Sequence, residues 1–175
     1  MTKATGEQAF QPGARCVRVI GIGNPDRGDD GIGCLVAHRL ASRLPADVSV
    51  LTRSGDMMDL GDDMEAVDAL ICIDAAVPDG SPGRVRRVDL ATGQLDRTMS
   101  FASSHALGLA EVIALAEALG TAPQDIVVYA IEGASFDAGA PMTPEVIAAA
   151  DEVVGQVVAE ANRLRRNVRE GTDNA

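Results

Sequence analysis

The sequence has no tryptophan, and aromatic residues of every kind make up 2% of its 175 positions. Stacking on aromatic side chains is how single-stranded nucleic acids are usually held, so that mode lacks its platform. Positive charge is scarce as well. Fifteen Lys and Arg stand against 26 Asp and Glu, and the net charge of −11 repels a polyanion. Nucleic acid is therefore not expected as a partner. No apolar run approaches the roughly 20 residues that span a bilayer, and the opening MTKATGEQAFQPGA lacks the apolar region and cleavage site of a secretory signal. These absences point to a soluble cytoplasmic protein with no membrane partner. The three cysteines, Cys16, Cys34 and Cys72, form an odd set without CxxC spacing, and each falls in an apolar stretch. Buried, reduced thiols are expected rather than disulfides or zinc ligands.

What is present is an alternation of two patterns. Short runs rich in Val and Ile predict strands at residues 16–23, 48–53, 69–75, 84–89 and 126–131. Helical periodicity predicts helices at 30–44, 57–65, 106–119 and 144–165. The last has Thr143 placed to cap and Pro144 at its first position, with Val146, Ile147, Ala150, Val153, Val154, Val157 and Val158 on one apolar face. The runs VRVIGIG, ALICIDAA and IVVYAIEG are apolar throughout, as strands covered on both faces are. The fold class that follows is α/β, a three-layer αβα arrangement around a mainly parallel, twisted five-stranded sheet. The run 84–89 follows its predecessor through VPDGSPG, too short for a crossover helix, so that strand is expected to be antiparallel or at an edge. One domain is expected over residues 15–166, with 1–14 and 167–175 as disordered tails.

In such folds ligands bind beyond the carboxyl ends of the parallel strands. Three residues meet that criterion: Asp30 after the first strand, Asp74 at the end of the third, and His105 at the start of a later helix. The turn GIGNPDRGDDGIG is not a phosphate cradle, because GxGxxG is not met and Asp26, Asp29 and Asp30 crowd the slot with negative charge. Neither a P-loop nor a GxSxG elbow occurs. Asp29 and Asp30 also suit the cap and first turn of a helix, and a division of labour is expected in which Asp29 caps and Asp30 faces the cleft. A helix N-terminus disfavours imidazolium, so His105 is expected to be neutral and able to ligate or accept a proton, with Ser103 or Ser104 as cap. A structural role for it is equally compatible with the sequence. His38, in mid-helix, is expected to be structural. Two carboxylates and one imidazole suit a divalent ion such as zinc or nickel, with coordination positions left open.

The residues Gly21, Gly23, Asn24, Asp29, Asp30, Gly31 and Gly33, together with the later segments CIDAA and SSHALGL, resemble the hydrogenase maturation proteases. The resemblance runs from about Val17 to Val158. It implies an endopeptidase that trims the C-terminal extension from the large-subunit precursor of a nickel-iron hydrogenase. It also implies that Asp30, Asp74 and His105 are the metal-contacting and catalytic residues. The nickel would be presented by the substrate, with zinc or cadmium able to stand in for it, and no permanent organic cofactor is implied. A monomer is expected. Whether the metal or a carboxylate activates the attacking water stays open. Asp26 stands where the family often has an apolar residue, and RSGDMMDL, with a turn expected at Gly55 and Asp56, replaces a Gly-Gly-Thr type turn. Both departures bear on the hydrogenase subtype. Two alternatives share features of the pattern: a non-proteolytic nickel-sensing maturation chaperone, and a peptidyl-tRNA hydrolase, which shares a strand and GLGNP but follows them with His-Asn.

Overall fold

The computed structural model describes residues 15–54, 57–91 and 108–166. In chain order the elements are β1 (Val17–Ile22), a 3-10 turn (Gly28–Gly31), α1 (Ile32–Leu40), β2 (Val48–Arg53), α2 (Met58–Asp63), β3 (Ala69–Ala76), β4 (Val85–Asp89), α3 (Leu109–Leu119), β5 (Asp125–Glu132) and α4 (Pro144–Arg166). The strands lie in the order β2-β1-β3-β5-β4. All neighbours are parallel except β4 and β5, which run antiparallel from Val85 opposite Ile131 to Asp89 opposite Val127. The sheet is thus the mixed, mostly parallel one that the strand patterns predict, with the short link giving the antiparallel edge.

Alternation along the strands divides the core in two. On one face Val17, Val19, Ile71, Ile73, Val127 and Ile131 pack with residues of α1 and α4, among them Val36, Leu40, Val153 and Val157. On the other, Ile20, Ile22, Leu70, Cys72 and Val128 meet Leu60 and Met64 from the α2 region and Leu109, Val112 and Ile113 of α3. Side chains of this size contribute about 1.5–3 kcal/mol each on full burial. The edge strand β4 is pinned by charge: the Arg87 guanidinium donates to Glu160 of α4 at 2.9 Å, and the Tyr129 hydroxyl donates to the same carboxylate at 3.3 Å.

Several element boundaries differ from the sequence expectation. The first helix begins at Ile32 because Gly28–Gly31 forms a tighter 3-10 turn, and it ends at Leu40, short of Leu44, where Pro45 disfavours helix in any case. Residues 57–65 hold only the short helix α2. The third helix starts at Leu109 with Gly108 as cap, and closes on Gly120 in the left-handed region at φ 72°; Ser103 and Ser104 lie outside the described residues, as do Gly55 and Asp56. On α4, Ile147 is 40% exposed, and Ala149, Ala161 and Leu164 complete the buried face instead. Cys16 is exposed, because β1 starts one residue later and the Cys16 N–H caps the sheet's lower end by donating to Asp68 Oδ2 at 2.7 Å. Cys34 is half-buried and Cys72 buried, all three as free thiols. No helix among the described residues is long and apolar enough to cross a membrane.

The contact that brings α1 onto the sheet is between backbones. A Cβ on Gly33 would lie 2.2 Å from the Ile22 carbonyl oxygen and 2.4 Å from that of Ile73; one on Gly21 would lie 2.1 Å from the Gly33 carbonyl oxygen. Gly33→Ala should therefore lift α1 off the sheet and destabilise the fold by about 3 kcal/mol. Urea denaturation of the variant, read as a lowered midpoint, tests this; an unchanged midpoint would refute it.

Candidate active site

The candidate site lies at the carboxyl ends of β1 and β3, beside the β1–α1 turn, on the side where parallel α/β sheets form their ligand cleft. Asp74 is the sixth residue of β3 and shares the face of Leu70 and Cys72 by alternation. It is fully buried; its Oδ1 accepts the N–H of Ala75 at 2.8 Å, and its Oδ2 has no partner among the described residues. Burial pushes its pKa well above the carboxylate range, and the Asp30 charge pushes the same way; only the Ala75 N–H opposes them. Asp30, in the 3-10 turn, is 5% exposed. Its Oδ2 accepts the Asn24 N–H at 3.0 Å, and its Oδ1 has no partner among the described residues. Two neighbouring acids thus each satisfy one oxygen and leave the other bare. Such a pair is costly to bury unless a proton or a cation meets it.

The turn that carries Asp30 depends on Gly23, whose φ of 127° is closed to most side chains and whose Cβ would meet the Asp30 carbonyl oxygen at 1.8 Å. The same turn places Cys34 at the cleft, where its thiol donates to the Gly23 carbonyl at 3.2 Å. Burial, then the charges of Asp30 and Asp74, raise the Cys34 pKa to about 11. A thiol so held is protonated at neutral pH and is not a nucleophile.

Asp29 does something other than the helix capping expected of it. The first residues of α1 have no side-chain cap, and the Asp29 carboxylate instead reaches the β5–α4 loop. Its Oδ2 accepts the N–H groups of Ala134 at 2.7 Å and Ser135 at 2.9 Å and the Thr143 hydroxyl at 2.7 Å; its Oδ1 accepts the Thr143 N–H at 2.6 Å. Burial opposes its ionisation, but these bonds outweigh it and hold the carboxyl below its ordinary value. Thr143 therefore spends its hydroxyl on Asp29. His38 is exposed on the outer face of α1, consistent with a passive role. His105 lies outside the described residues; the helix it precedes, α3, covers the sheet face that Asp74 shares. Among the described residues no three His, Cys, Asp or Glu side chains converge as a metal cage, so Asp30 and Asp74 would need a donor from elsewhere to complete one. They supply two hard oxygens and an excess of negative charge, which fits a divalent cation.

Glu132, which the sequence reading passed over, is a buried acid at the end of β5. Its Oε1 accepts the N–H groups of Asp79 and Ser81, each at 2.6 Å, and Arg84 lies 3.1 Å from Oε2. These contacts shape the β3–β4 link. An acid ending an apolar strand is the signal that singled out Asp74, and Glu132 carried the same signal.

A family model described as hydrogenase maturation protease matches residues 34–160. A hydrogenase expression/formation protein HupD from Bradyrhizobium diazoefficiens is 31% identical over 82% of this chain and 78% of its own length. Its counterpart from Rhodobacter capsulatus is 29% identical over 93% of this chain and 78% of its own. Among solved structures, the hydrogenase maturating endopeptidase HybD from E. coli superposes with a TM-score of 0.72, at 27% identity, over 84% of this chain and 92% of that one. The αβα fold and the family match are thus those of a peptide-bond hydrolase, an endopeptidase of the maturation class. The chain belongs to the hydrogenase maturation protease family.

The raised pKa of Asp74 has a consequence for stability. In the unfolded chain the group titrates near 3.8, and in the fold well above that. Between the two values the folded chain holds one more proton than the unfolded, so stability falls as pH rises through that interval. Asp74→Asn should remove this fall: its advantage over the wild type is expected to be larger at about pH 7 than at about pH 4. Urea titrations at both pH values measure the difference, and an advantage that shrinks on raising the pH would contradict it.

Proposed function

We propose that the protein removes the C-terminal extension from the nickel-loaded precursor of a nickel-iron hydrogenase large subunit, and that the nickel arrives as part of this substrate. Asp30, Asp74 and His105 are the residues that meet it. The observation that carries this reading is the pair of buried oxygens, Asp30 Oδ1 and Asp74 Oδ2, that meet no donor among the described residues, in a member of the maturation endopeptidase family. A site that keeps its acids short of partners is suited to a cation that comes and goes with a substrate. Zinc or cadmium would satisfy the same donors. The Asp74 proton is displaced as the cation docks, because a ligand oxygen must be free of its proton to coordinate. The precursor then lies with its scissile bond at the cleft mouth, where a water is the nucleophile, since the one thiol there is held protonated. The protein acts as a monomer in the cytoplasm and needs no organic cofactor.

The test mixes purified protein with nickel-loaded and nickel-free precursor and follows the precursor mass. Loss of a C-terminal peptide is expected only with nickel, and Asp74→Asn or His105→Ala should slow it by roughly 100-fold or more. Binding without loss of mass would favour a maturation chaperone, and equal cleavage without nickel would overturn the metal-recognition reading.

A further inference from the structure

Asp29 is fully buried beside Asp30, yet it has no oxygen to spare. Both carboxylate oxygens are occupied by donors that lie more than 100 residues away in the chain, on the β5–α4 loop. The backbone is tied to the same loop: the Asp29 N–H donates to the Ser135 carbonyl at 2.8 Å, and the Gly139 N–H donates to the Asp26 carbonyl at 2.7 Å. The fit leaves no slack, because a Cβ on Gly28 would meet the Ser135 oxygen at 2.6 Å, and one on Gly133 would meet Asp29 Cβ at 3.0 Å. Among the described residues Asp30 itself has one side-chain bond, to the Asn24 N–H of its own turn. Its position over the cleft is therefore inherited from its neighbour.

We propose that Asp29 is a positioning residue for the hydrolysis, holding the Asp30 carboxylate in register with Asp74 by tying the β1–α1 turn to the β5–α4 loop. This rests on the role given to Asp30 above. Asp29 touches neither cation nor peptide, so its loss acts through geometry, and misplacing a reacting group by about 1 Å can cost on the order of 100-fold in rate. Asparagine at this position offers one acceptor and turns an NH2 toward N–H donors, which breaks the tie without changing the volume.

The experiment measures kcat and KM for nickel-loaded precursor with wild type, Asp29→Asn, Thr143→Val, Thr143→Ser and Asp30→Asn, each corrected for its folded fraction by circular dichroism. Asp29→Asn is expected to lower kcat by roughly 10-fold to 100-fold with KM within about threefold. Thr143→Val, which deletes one of the donors, should lower kcat by about threefold or more, and Thr143→Ser, which keeps the hydroxyl, should restore it. A residue that served folding alone would leave kcat per folded molecule unchanged. If Asp29→Asn does not fold, the Thr143 pair decides. Wild-type kcat in folded Asp29→Asn, or in Thr143→Val, with Asp30→Asn inactive overturns this proposal alone. Wild-type kcat in Asp30→Asn overturns the reading beneath it and this proposal with it.

Discussion

At Gly21 and Gly33 the backbone of α1 rests directly on the sheet, with no side chain between them. Most helices in layered α/β folds stand about 10 Å off the sheet they cover, a distance set by the side chains that fill the gap. Here the first turn of α1 has no such filling. The chain leaving β1 must rise, reverse and come back within a few residues, and Gly23 in the left-handed half of φ space makes that return possible. Asp30 reaches the rim of β3 because of this reversal. A helix seated at ordinary height would carry it out of range of Asp74.

The three aspartates of the cleft show how little residue type says about chemistry. Among the described residues, Asp29 is surrounded by donors that favour its ionised form, Asp74 has one donor and is driven toward its neutral form, and Asp30 has one side-chain bond and one oxygen without a partner. What separates them is the supply of N–H and O–H groups, and that supply comes from distant parts of the chain. The β5–α4 loop serves Asp29, while β3 serves Asp74 only through its own next residue. The site thus holds one acid saturated by donors and two that each keep an oxygen without a partner among the described residues.

The sheet was largely legible from sequence for a physical reason: buried parallel strands must be apolar on both faces, and VRVIGI, ALICIDAA and DIVVYAIE are. The short link before β4 likewise announced its direction. The burial of Asp74 at the end of β3 was legible because an acid at the end of an apolar strand has few structural excuses. The partners of Asp29 were not, since a helix start beside an acidic pair reads locally as a cap and its real donors are remote. Cys16 was misjudged because an apolar neighbourhood in sequence does not tell where a strand's first residue meets solvent. Nor does the helical pattern of 30–44 reveal that its first turn is wound more tightly and that the helix ends at Leu40.

The sheet stops at β4, and the way it stops has a bearing on solubility. An edge strand offers its unpaired N–H and C=O groups to any extended chain that passes. On β4 the central positions are the exposed Arg86 and Arg87, each anchored by a carboxylate of the same molecule, Asp79 and Glu160. A strand adding there would have to displace or crowd these bulky, charged side chains. Among the described residues these paired charges are what blunts the β4 edge.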